Sequence, residues 1–281
     1  MSYCSLCNWE TAIIQGGTLS ISYGKDSLAC IGACEHLGWK INRIVHAEVW
    51  ATDTIPAELP PMVEFKKKAD RIIKERWGIE VEHFCATSYA GVSNGKVTYE
   101  DVFYKTMTKG QFVGAIKGFP MAIGQWCQAL KLNAIPKFAD NTYLGIAADE
   151  PKRFKTLTGT KLSPLKEIGW DEDYCGLWCK YNDLLSPTYT DSYRGGCWFC
   201  HYQGVEQLRL LRRNYPQYWD LLLKWDADSP VPFKSDGHTV HDYDKRFRCE
   251  DEGIVPTDRT FRWDMLDRPF QMSFFGGMFN G

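Results

Sequence analysis

The sequence predicts an α/β protein: a doubly wound, mainly parallel sheet carrying a cysteine-containing helical part at its C-terminal end. Three observations predict it. Short apolar runs alternate with amphipathic helical stretches through the first half of the chain, the order in which helices come to cover both faces of a parallel sheet. A polar turn with one glycine joins the first such strand to the first such helix. The 281 residues, 44% of them hydrophobic, suffice for one large domain, or one domain with an appendage.

The first strand closes on Leu19 and Ile21. The turn Ser22-Tyr23-Gly24-Lys25-Asp26 then opens a helix marked by Leu28, Ile31, Cys34 and Leu37. Backbone N–H groups at that helix N-terminus, together with its dipole, suit a phosphate. Lys25 adds a charge, and Ser22 and Ser27 add hydroxyl donors. Asn42 to Val49 reads as a second strand running toward Thr52-Asp53-Thr54. A helix over about Met62 to Trp77 has Val63, Ala69, Ile72, Ile73 and Trp77 on one face expected to be buried, and Ile79 to Phe84 is a third strand. Ligands in such sheets sit at the carboxyl ends of strands. That puts Asp53 on the same edge as the Gly24 turn, with a turn cap as its plainer use.

Ala86 to Gly118, rich in glycine and interleaved with Tyr89, Tyr99, Phe103, Tyr104 and Phe112, reads as an excursion over the mouth of that edge, either a lid or a long insertion. Tyr143 to Ala148 is a further strand. Asp149, Glu150 and Arg153 behind it either bind magnesium and shape a pyrophosphate pocket, or are helix N-terminal acids with a downstream ion pair.

A helix beginning near Asp171 carries Cys175 and Cys179 on one face, and Cys197-Trp198-Phe199-Cys200 follows. Thiolates two residues apart in a turn point the same way, and soft sulfur prefers zinc or iron–sulfur. A redox pair, or cysteines buried as small apolar residues, are the alternatives. Glu206 to Trp225 is an amphipathic helix pair broken near Pro216. Cys4-x-x-Cys7 reads as part of a plain N-terminal segment, and Phe274 to Phe279 as a tail docked on the body.

The formal charge of −2 gives no global footprint for nucleic acid. The local runs Lys66-Lys67-Lys68 and Arg212-Arg213 read as solvated helix faces. No apolar stretch approaches membrane-spanning length and the polar N-terminus is no signal peptide, so no membrane partner and a cytoplasmic location are expected. There, eleven cysteines point to a metal, a cluster or redox chemistry ahead of disulfides.

Ser22-Tyr23-Gly24-Lys25-Asp26-Ser27 resembles the Ser-Gly-Gly-Lys-Asp-Ser signature of the PP-loop adenine-nucleotide hydrolases, and most closely that of their PAPS reductase-like branch. Tyr23 replaces a glycine of the signature. Its side chain either crowds a phosphate or, with ordinary backbone angles, packs outward. Asp53-Thr54 is similar to the family's Asp-Thr pair after strand two. Gln125-Trp126-Cys127 with Leu130-Lys131 and Pro136 resembles its Arg-Trp-Cys…Leu-Lys…Pro segment, and Gly145 to Arg153 resembles its Gly-Ile-Arg-Ala-x-Glu-Ser-x-x-Arg. Gln125 and Ala147 stand where the family has arginines. Ser186-Pro187-Thr188-Tyr189 with Gly196-Cys197-x-x-Cys200 is similar to its Asn-Pro-Leu-Tyr…Gly-Cys-x-x-Cys ending. The resemblance runs from about Leu19 to Phe247, densely at three blocks.

It implies a PP-loop, HUP-like nucleotide-binding domain over residues 1–160, with a cysteine-containing part over 161–281 packed on it. Lys25 and Asp26 would be catalytic. Ser22, Gly24, Lys25, Asp26, Ser27, Asp53, Asp149, Glu150 and Arg153 would hold ATP, or another adenine nucleotide, with Mg²⁺. Cys127, Cys197 and Cys200 would ligate a 4Fe–4S cluster, with Zn²⁺ as the alternative. Cys179, ahead of Cys175, is the candidate fourth ligand, unless a three-cysteine cluster leaves one iron open. The implied activity is ATP-dependent nucleotidyl or sulfur transfer that cleaves ATP to AMP and pyrophosphate. The acceptor would be a nucleic acid or a protein, and a homodimer is compatible with it. Sulfonucleotide (APS or PAPS) reduction is the weaker alternative, because the only late cysteine, Cys249, has acidic neighbours that raise a thiol pKa. A non-catalytic adenine-nucleotide-binding protein is the other.

Overall fold

Strand β1 (Gly17–Ile21) is buried along nearly its whole length and runs straight into α1 (Lys25–Leu37). β2 (Ile41–Glu48), α2 (Pro60–Trp77) and β3 (Val81–Cys85) repeat the unit. This computed structural model describes residues 16–93, 95–110, 113–120, 126–189 and 195–267. Cys4, Cys7, Gln125 and the Phe274–Phe279 segment lie outside them. Pro60 and Pro61 open α2, where the first-turn N–H groups need no helical partner. Gly38 and Gly78 close α1 and α2 in the left-handed conformation, which glycine adopts without steric cost.

A small hairpin of β4 (Ser88–Tyr89) and β5 (Val92–Ser93) follows, then the short helices α3 (Tyr99–Phe103) and α4 (Trp126–Leu132). The chain next re-enters the sheet as β6 (Asn141–Leu144) and β7 (Lys161–Leu162). The order is β3-β2-β1-β6-β7, and every pairing is parallel. The chain builds outward from β1 in one direction and then in the other. The crevice between the ends of β1 and β6 is the switch point at which such sheets take ligands.

After β7 come α5 (Pro164–Ile168) and α6 (Glu172–Tyr181), the latter capped by the Asp171 side chain. Then follow α7 (Val205–Asn214), α8 (Pro216–Asp228) and α9 (Val240–Asp251). Pro216 divides α7 from α8, as the sequence pattern predicted.

Buried side chains form two cores. The first joins Leu19, Leu28, Ile31, Ile44, Phe65 and Ile73 with Leu165, Cys175 and Cys179. Hence β7, α5 and α6, beyond residue 160, contribute to the sheet and to its packing. Gly32 lets α6 lie against α1, because a Cβ there would sit 2.4 Å from the Trp178 ring. The second core joins Tyr99, Phe103, Phe119 and Trp126 with Trp198, Trp225, Phe233 and Phe247. Ala86, Val97, Tyr99, Val102 and Phe103 of the 86–118 stretch therefore belong to a core, while most of its other described residues are partly or fully exposed. Tyr99 and Phe103 are spaced to pack on Trp225, and Tyr99 also on Phe199; without an amphipathic period that packing is not legible in sequence.

Two element ends also differ from expectation. β2 stops at Glu48, so Asp53 lies on an irregular turn beyond it. β6 stops at Leu144, because Gly145 brings the chain against the first turn of α1. A Cβ on Gly145 would lie 2.6 Å from the Ser27 backbone nitrogen.

Candidate functional site

A cleft of about 470 Å³ opens where β1 ends. The Ser22-Tyr23-Gly24 turn forms one wall, Glu58 and Met62 another, and Lys131 of α4 a third. Ser186, Thr188 and Tyr189 close it.

The turn is braced from within. The Ser22 N–H donates to Ser27 Oγ (3.1 Å), and the Ser27 hydroxyl donates to the Gly24 carbonyl (2.9 Å). Ser27 thus shapes the turn, while Ser22 faces the cleft. Gly24 is the N-cap of α1 and offers no side-chain acceptor to the first-turn donors. The Lys25 N–H instead donates to the Tyr189 hydroxyl oxygen at 3.3 Å. A hydroxyl thus occupies a place that helix N-termini offer to anions. Tyr189 was quoted in sequence as part of a motif and given no role.

Tyr23 does neither of the things expected of it. Its φ is +57°, and its side chain is fully buried beneath the turn. Its side chain therefore does not fill the cleft side of the turn. A left-handed non-glycine residue costs about 1–2 kcal/mol, so the position has the backbone for which a glycine is suited.

The Lys25 ammonium is held between Asp26 Oδ1 (2.9 Å) and Glu172 Oε2 (2.7 Å). Burial alone would lower its pKa, but these two hydrogen bonds outweigh burial and raise it. Burial raises the Asp26 pKa, against the opposing pull of Lys25. Lys131 forms no ion pair among the described residues. It is a cleft cation that the Leu130-Lys131 motif contained and that sequence reasoning left out.

The remaining expected residues divide. Glu150 pairs with Arg153 (2.6 Å) and accepts the Ala147 N–H, the ion-pair alternative set out above. Asp149 accepts the Glu172 N–H at 3.2 Å, so these acids ring the N-terminus of α6 beside Lys25. Asp53 is exposed, and its carbonyl accepts from Lys96. It does not line the cleft. The carboxylate at the end of β2 is Glu48.

Cys127, Cys197 and Cys200 come together: burial, and then Cys200, raises the Cys127 thiol, and Cys197 lies near both others. Burial, aided by these neighbours, pushes Cys197 to about 12. The Tyr99 hydroxyl is buried beside all three thiols and has no hydrogen-bond partner, an arrangement that costs free energy unless something fills it. Cys179 does not join them. Its thiol donates to the Lys25 carbonyl (3.2 Å) in the α1–α6 interface, next to Cys175. Among the described residues no group of three or more His, Cys, Asp or Glu side chains is arranged to hold a metal ion, and no helix is long and apolar enough to cross a membrane. The sequence matches no protein-family model and no curated protein.

Proposed function

We propose that the protein is an ATP-dependent nucleotidyl or sulfur-transfer enzyme of PAPS reductase-like character, binding an adenine nucleotide in the cleft at the C-terminal end of β1. The observation that carries this reading is the cleft itself. At the C-terminal end of β1 it combines a turn without a side-chain cap at a helix N-terminus with an unpaired lysine, Lys131. Backbone donors and a cation directed at one crevice favour phosphate.

In the proposed reaction an acceptor oxygen attacks the α-phosphorus, the bond to the β-phosphate oxygen breaks, and pyrophosphate leaves. A sulfur nucleophile, where transfer follows, displaces AMP. The first-turn amides of α1 and Lys131 would carry phosphate charge, and Lys25, released from Glu172, would offset charge building on the leaving group. Mg²⁺, when bound, would neutralise the pyrophosphate. Asp26, Asp149 or Glu150 could supply its one or two carboxylates, since magnesium in such sites leans on substrate phosphates and not on an all-protein cage.

The four-cysteine cluster does not fit this chain, because Cys179 belongs to the other core. Cys127, Cys197 and Cys200 remain the candidate ligands for zinc or an iron–sulfur centre, and the unpartnered Tyr99 hydroxyl supports a group missing there. No step of the reaction is routed through them.

A groove of about 640 Å³ beside the cleft supports an anionic acceptor such as a nucleic acid. It presents Lys67, Lys68 and Arg71 against the single carboxylate of Glu64, and backbone phosphates suit such a lining. Leu185 and Pro187 line the groove while Ser186 and Thr188 line the cleft, so one short segment separates the two.

A second reading, a nucleotide-binding protein without catalysis, is favoured by one observation: Lys25 is engaged by two carboxylates. Product analysis separates the readings. With ATP and Mg²⁺ the enzyme reading predicts AMP and pyrophosphate, lost in Lys25→Ala. Tight binding with ATP recovered intact would establish the second reading.

A further inference from the structure

The turn that lines the cleft rests on a partly buried network of ionisable side chains which the proposed reaction does not use. At its top is Tyr23. Its hydroxyl donates to Asp70 of α2 and lies 3.2 Å from His83 Nε2 of β3. His83 Nε2 is 2.9 Å from the second Asp70 oxygen, and Nδ1 is 2.9 Å from Glu48 Oε1 of β2. With a carboxylate at each nitrogen both ring nitrogens must donate, so His83 is an imidazolium. The hydrogen bonds to Asp70 and Glu48 raise its pKa to about 9.

Lys66 of α2 completes the layer. Its ammonium reaches Glu58 (2.8 Å), Glu48 (3.2 Å) and His46 Nε2 (3.3 Å). His46 Nδ1 lies 2.9 Å from the Ile21 carbonyl. Because a carbonyl only accepts, Nδ1 carries the proton and Nε2 accepts from Lys66. Burial, then Lys66, hold the His46 pKa down at about 4. The His46 ring meets the Tyr23 ring edge-on at 4.8 Å. The network thus contacts the last residue of β1 at one end and Glu58, a wall of the cleft, at the other. Lys131 across the cleft is the remaining charge acting on His46.

We infer that Tyr23 is a positioning residue: its clamped hydroxyl holds residue 23 in the left-handed conformation and thereby aims the N-terminal amides of α1 into the cleft. A glycine would reach this backbone freely but would not fix it. Tyrosine fixes it, at the expense of an unfavourable φ that Asp70 and His83 sustain. The shape of the turn is therefore set by Asp70 of α2 and His83 of β3, neither of which lines the cleft. The affinity consequence rests on the proposed nucleotide reading, but the conformational one does not.

Two readouts keep these apart. Hydrogen exchange of the 22–28 backbone in the unliganded protein tests the anchor. Tyr23→Phe is expected to speed exchange there about tenfold or more and to leave α8 and α9 unchanged. His83→Gln is expected to do the same, and the double variant no more than either single one, because both remove one clamp. Titration with ATP is expected to show about tenfold weaker binding in the same variants. Asp70→Asn, which keeps a hydrogen-bonding side chain, serves if Tyr23→Phe fails to fold. Unchanged 22–28 exchange, or exchange raised uniformly over the whole chain, would overturn the proposal. Selective loosening of the turn in a protein that binds no ATP would uphold the anchor and remove the nucleotide reading.

Discussion

Lys25 and Lys131 contribute unequally to the cleft. Lys25 is already neutralised by Asp26 and Glu172, whereas Lys131 has no ionic partner among the described residues. A hydrogen bond from a charged donor to a phosphate contributes about 1.5–3 kcal/mol. Lys131→Ala is therefore expected to weaken ATP binding at least about tenfold by calorimetric titration. Glu172→Gln has the opposite sign. It releases Lys25 from one of its two carboxylates and removes a negative charge near the proposed nucleotide, and partly exposed pairs of this kind contribute about 0.2–1 kcal/mol. Binding should tighten by roughly twofold to fivefold. The two histidines beneath the turn govern pH dependence. His83, raised from 6.5 to about 9, contributes stability that is complete below pH 6.5 and lost as pH rises through 9. His46, lowered from 6.5 to about 4, makes the unfolded chain the better proton binder, so stability falls as pH drops from 6.5 toward 4. Glu48, lowered from 4.5 to about 2, loses its contribution only as pH falls below 4.5 toward 2. The thermal midpoint should peak near pH 6.5, and His83→Gln should flatten the alkaline limb. An unchanged alkaline limb in that variant would contradict the assignment.

At the scale of elements, the junction of β6 with α1 decides the width of the crevice. Gly145 is obligatory there, since a Cβ would meet the Ser27 backbone at 2.6 Å and neither partner is a flexible side chain. Gly145→Ala should destabilise the protein by about 1–3 kcal/mol, as overpacking does, and should weaken nucleotide binding through a displaced α1 N-terminus. Chemical denaturation and titration of the same sample measure both. This also explains what the sequence made legible. β1, α1, α2 and the α7–α8 pair follow from apolar period, prolines and glycine stops. The end of β6 does not, because it is set by a contact between residues 145 and 27, far apart in sequence. Nor does Tyr23: its left-handed backbone depends on Asp70 and His83, which no local pattern connects to it.

For the whole molecule, two cores meet around one cleft, and each of the expected motif blocks supplies a wall or lies near one. Lys131 and Tyr189 were present in those blocks and became visible as site residues only through folding. Asp53, expected from its place after β2 and the Asp-Thr resemblance, lies on an exposed turn, and Cys179, the candidate fourth ligand, lies in the α1–α6 interface. The cysteines yield a further prediction. After anaerobic purification, Cys127→Ser, Cys197→Ser and Cys200→Ser should each reduce bound zinc or iron, whereas Cys179→Ser should leave it and lower the thermal midpoint. Absence of metal from the wild-type protein would return all three thiols to simple packing roles. The central claim concerns the cleft, and calorimetric titration with the non-cleavable α,β-methylene analogue of ATP in the presence of Mg²⁺ tests it most directly. The account predicts a single saturable site per chain, weakened in Lys131→Ala. No binding at millimolar analogue, or binding indifferent to Lys131, would contradict it.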